Sequence, residues 1–240
     1  MNDDFMEPEW PLSADIHAIT TLRCGGFSRG AFRSMNPASH VGDNPLAVLR
    51  NRKLLIKRLD LPAEPVWLKQ EHCNRIINAG SLGPRTADAS FTFEKGVVLA
   101  ILTADCLPVL LCNPITGVIA AVHAGWRGLL CGVIEAALEV IGDHAVAWLG
   151  PAIGPRAFLV GSDVRDRFLA KSLAFGAPFS AVDDRKWLLD IYSAAKIILS
   201  GKRVRFVGGG EWCTYSDPER FFSYRRDTVC GRMATLIWRE

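Results

Sequence analysis

Cys106 and His123 each stand at the edge of a strongly apolar run, in "TADCLPVLLC" (103–112) and "AAVHAGWRG" (120–128). A thiol and an imidazole are side chains that zinc accepts as ligands, and both also serve in covalent and proton-transfer chemistry. His72, closing "PVWLKQEH", is a third donor of the same kind. Three such ligands with one coordination position left open make a catalytic metal site. Spacing leaves a plainer reading standing: a free cysteine packs as a small hydrophobe, and a histidine beside apolar residues is often structural. The long gap between His72 and Cys106 also means that only the fold can assemble the three.

Polar neighbours extend the candidate site. Asp105 is suited to accept a hydrogen bond, relay a proton or cap a turn. Asp88, in "TADAS", carries the same ambiguity, with a turn cap favoured. Trp126 offers a face for a planar substrate or a side chain for the core. Arg127 lies where a helix is expected to start, and free N–H groups beside a guanidinium suit an anion. A solvated arginine is the simpler account. "FFSYRRD" sets Phe222, Tyr224, Arg225 and Arg226 close together, a mixture fit for a nucleoside or phosphate pocket. Read as a strand, the same stretch turns its two arginines to opposite faces, so one of them enters the pocket. Arg23 and Asn44, in loop-like segments, complete the polar candidates.

These residues must be positioned by elements that the pattern outlines. Strands are expected at 16–22, 65–72, 97–103, 109–112, 118–123, 145–149, 203–208 and 233–238, with a short one inside "TADASFTF". "GDNP" reads as a helix start, with Asn44 as cap and Pro45 as first helical residue, running to about residue 59. Further helices are expected from 125–128 to about 141, over 161–173 and over 187–199. "GPAIGPRAF" reads as a break after the strand at 145–149. The order mixes strands and helices without a regular βαβ repeat. The expectation is one compact α/β domain over 1–240, its mixed sheets flanked by helices, after an irregular extension at 1–12.

Bulk properties exclude several classes. Formal charge is +3, and basic residues scatter in small clusters at 50–53, 202–205 and 225–226, without the stripe of a nucleic-acid footprint. The apolar stretch at 97–112 is too short and too interrupted to span a membrane. The acidic, proline-broken N-terminus is no signal peptide, so the expected compartment is cytoplasmic. Seven cysteines with wide, irregular spacing and no CxxC pair fit neither a disulfide framework nor a zinc finger. GxGxxG after a first strand, GxxxxGK[ST] and HExxH are all absent.

Taken together, "WLKQEH", "TADAS", "TADCLPVLLCN", "AAVHAGWRGL", "GPAIGP", "GGGEWCTY" and "FFSYRRD" resemble the bacterial purine nucleoside phosphorylase family formerly described as multicopper polyphenol oxidases, or laccase-like proteins. The resemblance runs from about residue 16 to 238. It implies a small α/β protein that is neither a cupredoxin nor a Rossmann fold. It places the metal triad on His72, Cys106 and His123, with zinc as cofactor and copper as the alternative metal. It implies phosphorolysis of adenosine, inosine, guanosine and S-methyl-5'-thioadenosine with inorganic phosphate, together with adenosine deamination. In that chemistry Asp105 becomes a candidate proton carrier, and Arg127, Arg225 and Arg226 become phosphate ligands. Trp126, Phe222 and Tyr224 become the walls that hold the purine. One departure stands out: "KQEHCN" occurs where relatives have "QVHG", so Glu71 and Cys73 flank the first ligand. The competing classes are a copper-dependent polyphenol oxidoreductase and a non-enzymatic metal- or nucleotide-binding module.

Overall fold

A computed structural model describes residues 5–12, 14–202 and 204–240 of the 240-residue chain. The first four residues of the expected extension, and Arg203 at the head of an expected strand, lie outside the described residues.

In chain order the first elements are β1 (Phe5–Met6), β2 (Ile16–Thr21), α1 (Pro45–Arg58), β3 (Ile76–Asn78), β4 (Ala89–Thr92), β5 (Leu99–Thr103), β6 (Leu107–Cys112) and β7 (Ile119–Ala124). They are followed by α2 (Trp126–Cys131), α3 (Val133–Ile141), β8 (Val146–Leu149), β9 (Leu159–Gly161), α4 (Ser162–Lys171), β10 (Phe179–Ala181) and β11 (Lys186–Leu189). The last are α5 (Ile191–Ser200), β12 (Phe206–Gly209), α6 (Tyr224–Asp227) and β13 (Met233–Arg239).

Two sheets form the centre. A four-stranded antiparallel sheet has the order β1-β2-β13-β5, and a six-stranded mixed sheet has the order β12-β8-β6-β7-β4-β3. In the larger sheet β12 runs parallel to β8 and β3 parallel to β4, while the pairs between them are antiparallel. A small sheet, β10-β11-β9, lies apart. The result is an α/β domain with mixed sheets and flanking helices, neither a barrel nor a Rossmann fold.

Strand alternation explains the layers. Along β6, Leu107, Val109 and Leu111 join the core beneath α3 and α5, while Leu110 and Cys112 face the four-stranded sheet. Along β5, Leu99 and Ile101 meet them from the other side, and Ala100 and Leu102 turn outward, where Ile56 and Leu59 near the end of α1 pack. The strands at the centre are buried on both faces, which is why they read as continuous apolar runs. Among the described residues, no helix is long and apolar enough to cross a membrane.

Local chemistry overrode the expected elements at several points. The segment expected as a strand at 65–72 makes two isolated bridges, Val66 with Leu99 and Lys69 with Thr86. The backbone N–H groups that a ladder would use at its end go instead to the Asp88 carboxylate. The helix expected to run to residue 141 breaks at Gly132 (φ 87°), a left-handed conformation that glycine adopts readily, giving α2 and α3. Residues 187–189, expected as helix, belong to β11, and Asp190 caps α5 by accepting from Tyr192 N–H and Ser193 N–H. The "GPAIGPRAF" break leads into β9, and the expected helix at 161–173 ends as α4 at Lys171, followed by a 3-10 turn.

Candidate functional site

His72, Cys106 and His123 converge at one end of the two central sheets. Cys106 directly precedes β6, His123 is the fifth residue of β7, and His72 comes from the loop before β3. Their donor atoms all lie within 4.8 Å of one another. Cys106 Sγ is 3.8 Å from His72 Nε2, and the two imidazole rings meet edge-on at 4.8 Å between centroids.

Asp88, fully buried beside the start of β4, arranges this cluster. One carboxylate oxygen accepts from His72 N–H at 2.9 Å and from His123 Nδ1–H at 2.7 Å. The other accepts from Glu71 N–H at 3.0 Å and Cys73 N–H at 2.8 Å. The carboxylate thus holds His72 in a left-handed backbone conformation (φ 59°) that an L-residue rarely takes. It also fixes the His123 tautomer, leaving Nε2 for the cluster. Glu71 reaches the same carboxylate through its backbone and Cys73 through both its backbone and its thiol (3.1 Å), so the departure around His72 leaves the ligand in place.

Electrostatics couple the cluster. Burial opposes the Cys106 thiolate, but His123 and His72 outweigh it and bring the thiol down to about 6. Burial opposes the His123 imidazolium, but Cys106 and Asp88 outweigh it and raise the imidazole to about 9. Burial also opposes the Asp88 carboxylate, yet hydrogen bonds from His123 and Cys73 hold it well below the usual carboxylate range. A readily ionised thiol beside two imidazoles, one oriented by a carboxylate, is a donor set that fits a zinc or copper ion.

The cluster opens into a cavity of about 510 Å³. Trp126, Phe158, Ile153 and Ile191 give it apolar walls, and Tyr224 lines it near Arg225. Arg127, Arg225 and Arg232 make it cationic. Arg225 spends one guanidinium nitrogen on Leu159 O (2.6 Å) and lies over the Phe158 ring. Thr103 lines the same cavity, and its Oγ1 is buried and without a protein partner among the described residues.

The sequence candidates divide. Trp126, Arg127, Tyr224 and Arg225 line the cavity with the triad. Asp105 lines it too, but one oxygen accepts from Thr214 Oγ1–H and the other from Arg225 N–H, both at 2.6 Å. That leaves it as an anchor for α6 in this arrangement. Arg226 points elsewhere: its guanidinium donates to Thr214 O, Tyr215 O and Phe221 O. The stretch is the short helix α6 and not a strand, so face alternation does not sort the two arginines. Phe222 is fully buried in a core with Phe221 and Met233. Arg23 stacks on Phe222 and donates to Pro218 O, and the Asn44 carboxamide is used capping α1. Neither lines the cavity.

Sequence reasoning missed His40, Gln70, Phe158 and Arg232, all lining the cavity. His40 stands four residues before the Asn44 cap, and its proximity to a helix start was the one signal available.

Comparison with known proteins places the chain among relatives of similar length and fold. The family model described as multi-copper polyphenol oxidoreductase laccase covers residues 17–240. Purine nucleoside phosphorylase YfiH of Shigella flexneri is 46% identical over 236 residues, spanning 96% of this chain and 97% of that protein. The purine nucleoside phosphorylase of Haemophilus influenzae is 42% identical over 243 residues, spanning 98% and 99%. The crystal structure of a Neisseria meningitidis protein superposes with a TM-score of 0.94 at 42% identity, covering 99% of both chains. YlmD from Geobacillus stearothermophilus superposes at 0.89 with 29% identity, covering 99% of this chain and 96% of that one. The α/β domain with a His/Cys/His cluster therefore belongs to the laccase-like purine nucleoside phosphorylase family, the one the sequence motifs resemble.

Proposed function

We propose that this chain is a metal-dependent purine nucleoside phosphorylase, acting on adenosine, inosine, guanosine and S-methyl-5'-thioadenosine, with adenosine deamination as a second activity. The observation that carries the reading is the His72/Cys106/His123 cluster opening into a cavity that is both cationic and apolar-walled. The activity itself comes from the names of the relatives, which the cavity chemistry supports.

His72, Cys106 and His123 would hold the metal, zinc being the ion best matched to two imidazoles and a thiolate. When bound, such an ion supplies Lewis acidity to the cavity. Phosphorolysis needs an oxygen of phosphate to bond to C1' of the ribose while the bond from C1' to the purine nitrogen breaks. Arg127, Arg225 and Arg232 supply the positive charge that orients phosphate and offsets its repulsion. Trp126 and Phe158 provide surfaces for the purine, with Tyr224 beside them. Asp105 acts by positioning, through the α6 backbone.

Copper-dependent phenol oxidation is the lesser reading. Among the described residues there is one three-ligand cluster, short of the several ligand sets of a multicopper oxidase. The deciding experiment incubates purified, zinc-loaded protein with inosine, with and without inorganic phosphate. Phosphate-dependent release of hypoxanthine is expected. Identical traces without phosphate would remove the phosphorylase reading, and conversion of adenosine to inosine tests the deaminase separately.

A further inference from the structure

Phosphorolysis has an unassigned proton. Phosphate enters as hydrogen phosphate dianion, and its oxygen bonds to C1' as the bond from C1' to N9 breaks with the electron pair staying on the purine. The sugar phosphate then carries one proton too many, and the purine lacks one. A group in the cavity must accept the first and donate the second.

Most lining groups are committed. Asp105 has both carboxylate oxygens engaged at 2.6 Å. Gln70 spends its carboxamide on both backbone groups of Leu102, at 2.8 and 2.9 Å. His123 is bound to Asp88, and His72 and Cys106 belong to the metal cluster. Arginine side chains do not release protons. His40 differs: it lines the cavity, is only partly buried, and no hydrogen bond or ion pair ties it among the described residues.

The loop beneath His40 is held far more firmly than an exposed loop requires. Asn36 is fully buried: its Nδ2–H donates to Asp43 Oδ2 at 2.8 Å, and its Oδ1 accepts from Arg232 N–H at 3.0 Å. Asn51, also fully buried, donates to Asn36 O at 2.8 Å and to Ser34 O at 3.1 Å. Arg52 Nε–H donates to Pro37 O at 2.8 Å. Buried polar networks are costly unless fully satisfied, and once satisfied they fix a backbone in place. This one fixes the chain just before a free imidazole at the cavity. His40 also borders a second cavity, shared through Gln70 and Leu102 and lined by Arg52, Lys69 and Arg85. Its cationic surroundings favour an anionic reactant beside the ring.

Resting on the phosphorylase reading, we propose that His40 is a catalytic residue: its imidazole takes the proton from the attacking phosphate and returns it to the departing purine. A neutral imidazole accepts at one ring nitrogen and donates from the other, which is what this transfer needs. Partial burial, then Arg232 and Arg52, hold His40 below its ordinary value, keeping that neutral form populated at neutral pH.

The test compares inosine with 7-methylinosine, whose purine is already cationic and leaves without gaining a proton. Both are turned over with phosphate by zinc-loaded protein and by His40→Asn and His40→Gln. Inosine kcat should fall by about 10²–10⁴-fold in both variants, while 7-methylinosine kcat stays within about tenfold. Metal content and melting temperature should match the unsubstituted protein, and the second variant serves if the first folds poorly. Equal losses on the two substrates would overturn the role, since misplacement or lost binding affects both. Unchanged inosine turnover would overturn it as well. If the unsubstituted protein fails to cleave inosine with phosphate, the phosphorylase reading itself falls and takes this one with it, a failure visible before any variant is made.

Discussion

A single carboxylate, Asp88, governs the geometry of the metal cluster. It receives three consecutive backbone N–H groups, from Glu71, His72 and Cys73, as well as the His123 ring. Asp88→Asn keeps the shape but leaves one acceptor oxygen where two served, and turns an NH₂ donor toward groups that also donate. Outer hydrogen-bond partners of metal ligands are worth about 10–100-fold in affinity. Zinc affinity, measured by chelator competition, should fall by about that factor, with the far-UV spectrum retained. Unchanged affinity would mean that the loop is held by something other than this carboxylate. The three ligands were legible in the sequence because thiol and imidazole announce their chemistry. Asp88 stood among the candidate site residues, but with a turn cap favoured over any part in orienting the ligands. Its partners His72 and His123 are far apart in sequence: the pairing of Ala89 with Val122 between β4 and β7 brings His123 to it, and the Lys69–Thr86 bridge brings the His72 loop. His40 and Arg232 were hidden for the same reason: the Asn36 side chain joins their segments, and no local pattern records that.

At the scale of elements, α6 shows how four residues separate structure from binding. Ser223 caps it by accepting from Arg226 N–H, and Asp105 accepts from Arg225 N–H, so the short helix is tied to the end of β5. Within it, Arg226 satisfies three backbone carbonyls and pairs with Asp227, whereas Arg225 lines the cavity. The two alanine variants should therefore behave differently. Arg226→Ala leaves carbonyls without donors and should lower stability by about 2 kcal/mol in denaturant unfolding. Arg225→Ala leaves only Leu159 O without its donor, so it should lower stability by less, about 1 kcal/mol, and raise the KM for phosphate by about tenfold, the worth of one charge-assisted contact. A rise in phosphate KM confined to Arg226→Ala would reverse the assignment. Elements with a clean period were readable: α1 with its Asn44 cap, and the apolar strands β5, β6, β7 and β13. Elements failed where a short apolar run adjoined another pattern. Trp187, Leu188 and Leu189 blend into the helical spacing of α5, and only pairing with β9 and β10 makes them a strand.

For the whole molecule, the position of the cluster sets how metal and stability are linked. The site lies at the ends of β5–β7, while the core between the two sheets is closed by Leu99, Ile101, Leu110, Ile119, Trp148 and Ile237. A second core beneath α3 and α5 is larger still. Neither contains a metal ligand, so burial, and not coordination, carries the fold. Metal binding should add to stability only through mass action, about 2.7 kcal/mol when free metal stands at a hundred times its dissociation constant. For a chain of this size that corresponds to a melting shift of about 5–10 °C. Stripping the protein with a chelator should abolish phosphorolysis, lower the melting temperature by about that amount and leave a cooperative transition with unchanged far-UV circular dichroism. Added zinc should restore both activity and melting temperature. A stripped protein with no cooperative transition would show that the ion organises the core, contrary to this layering. Full activity in protein shown by elemental analysis to lack metal would remove the cluster from the chemistry and leave the arginine-lined cavity to account for it alone.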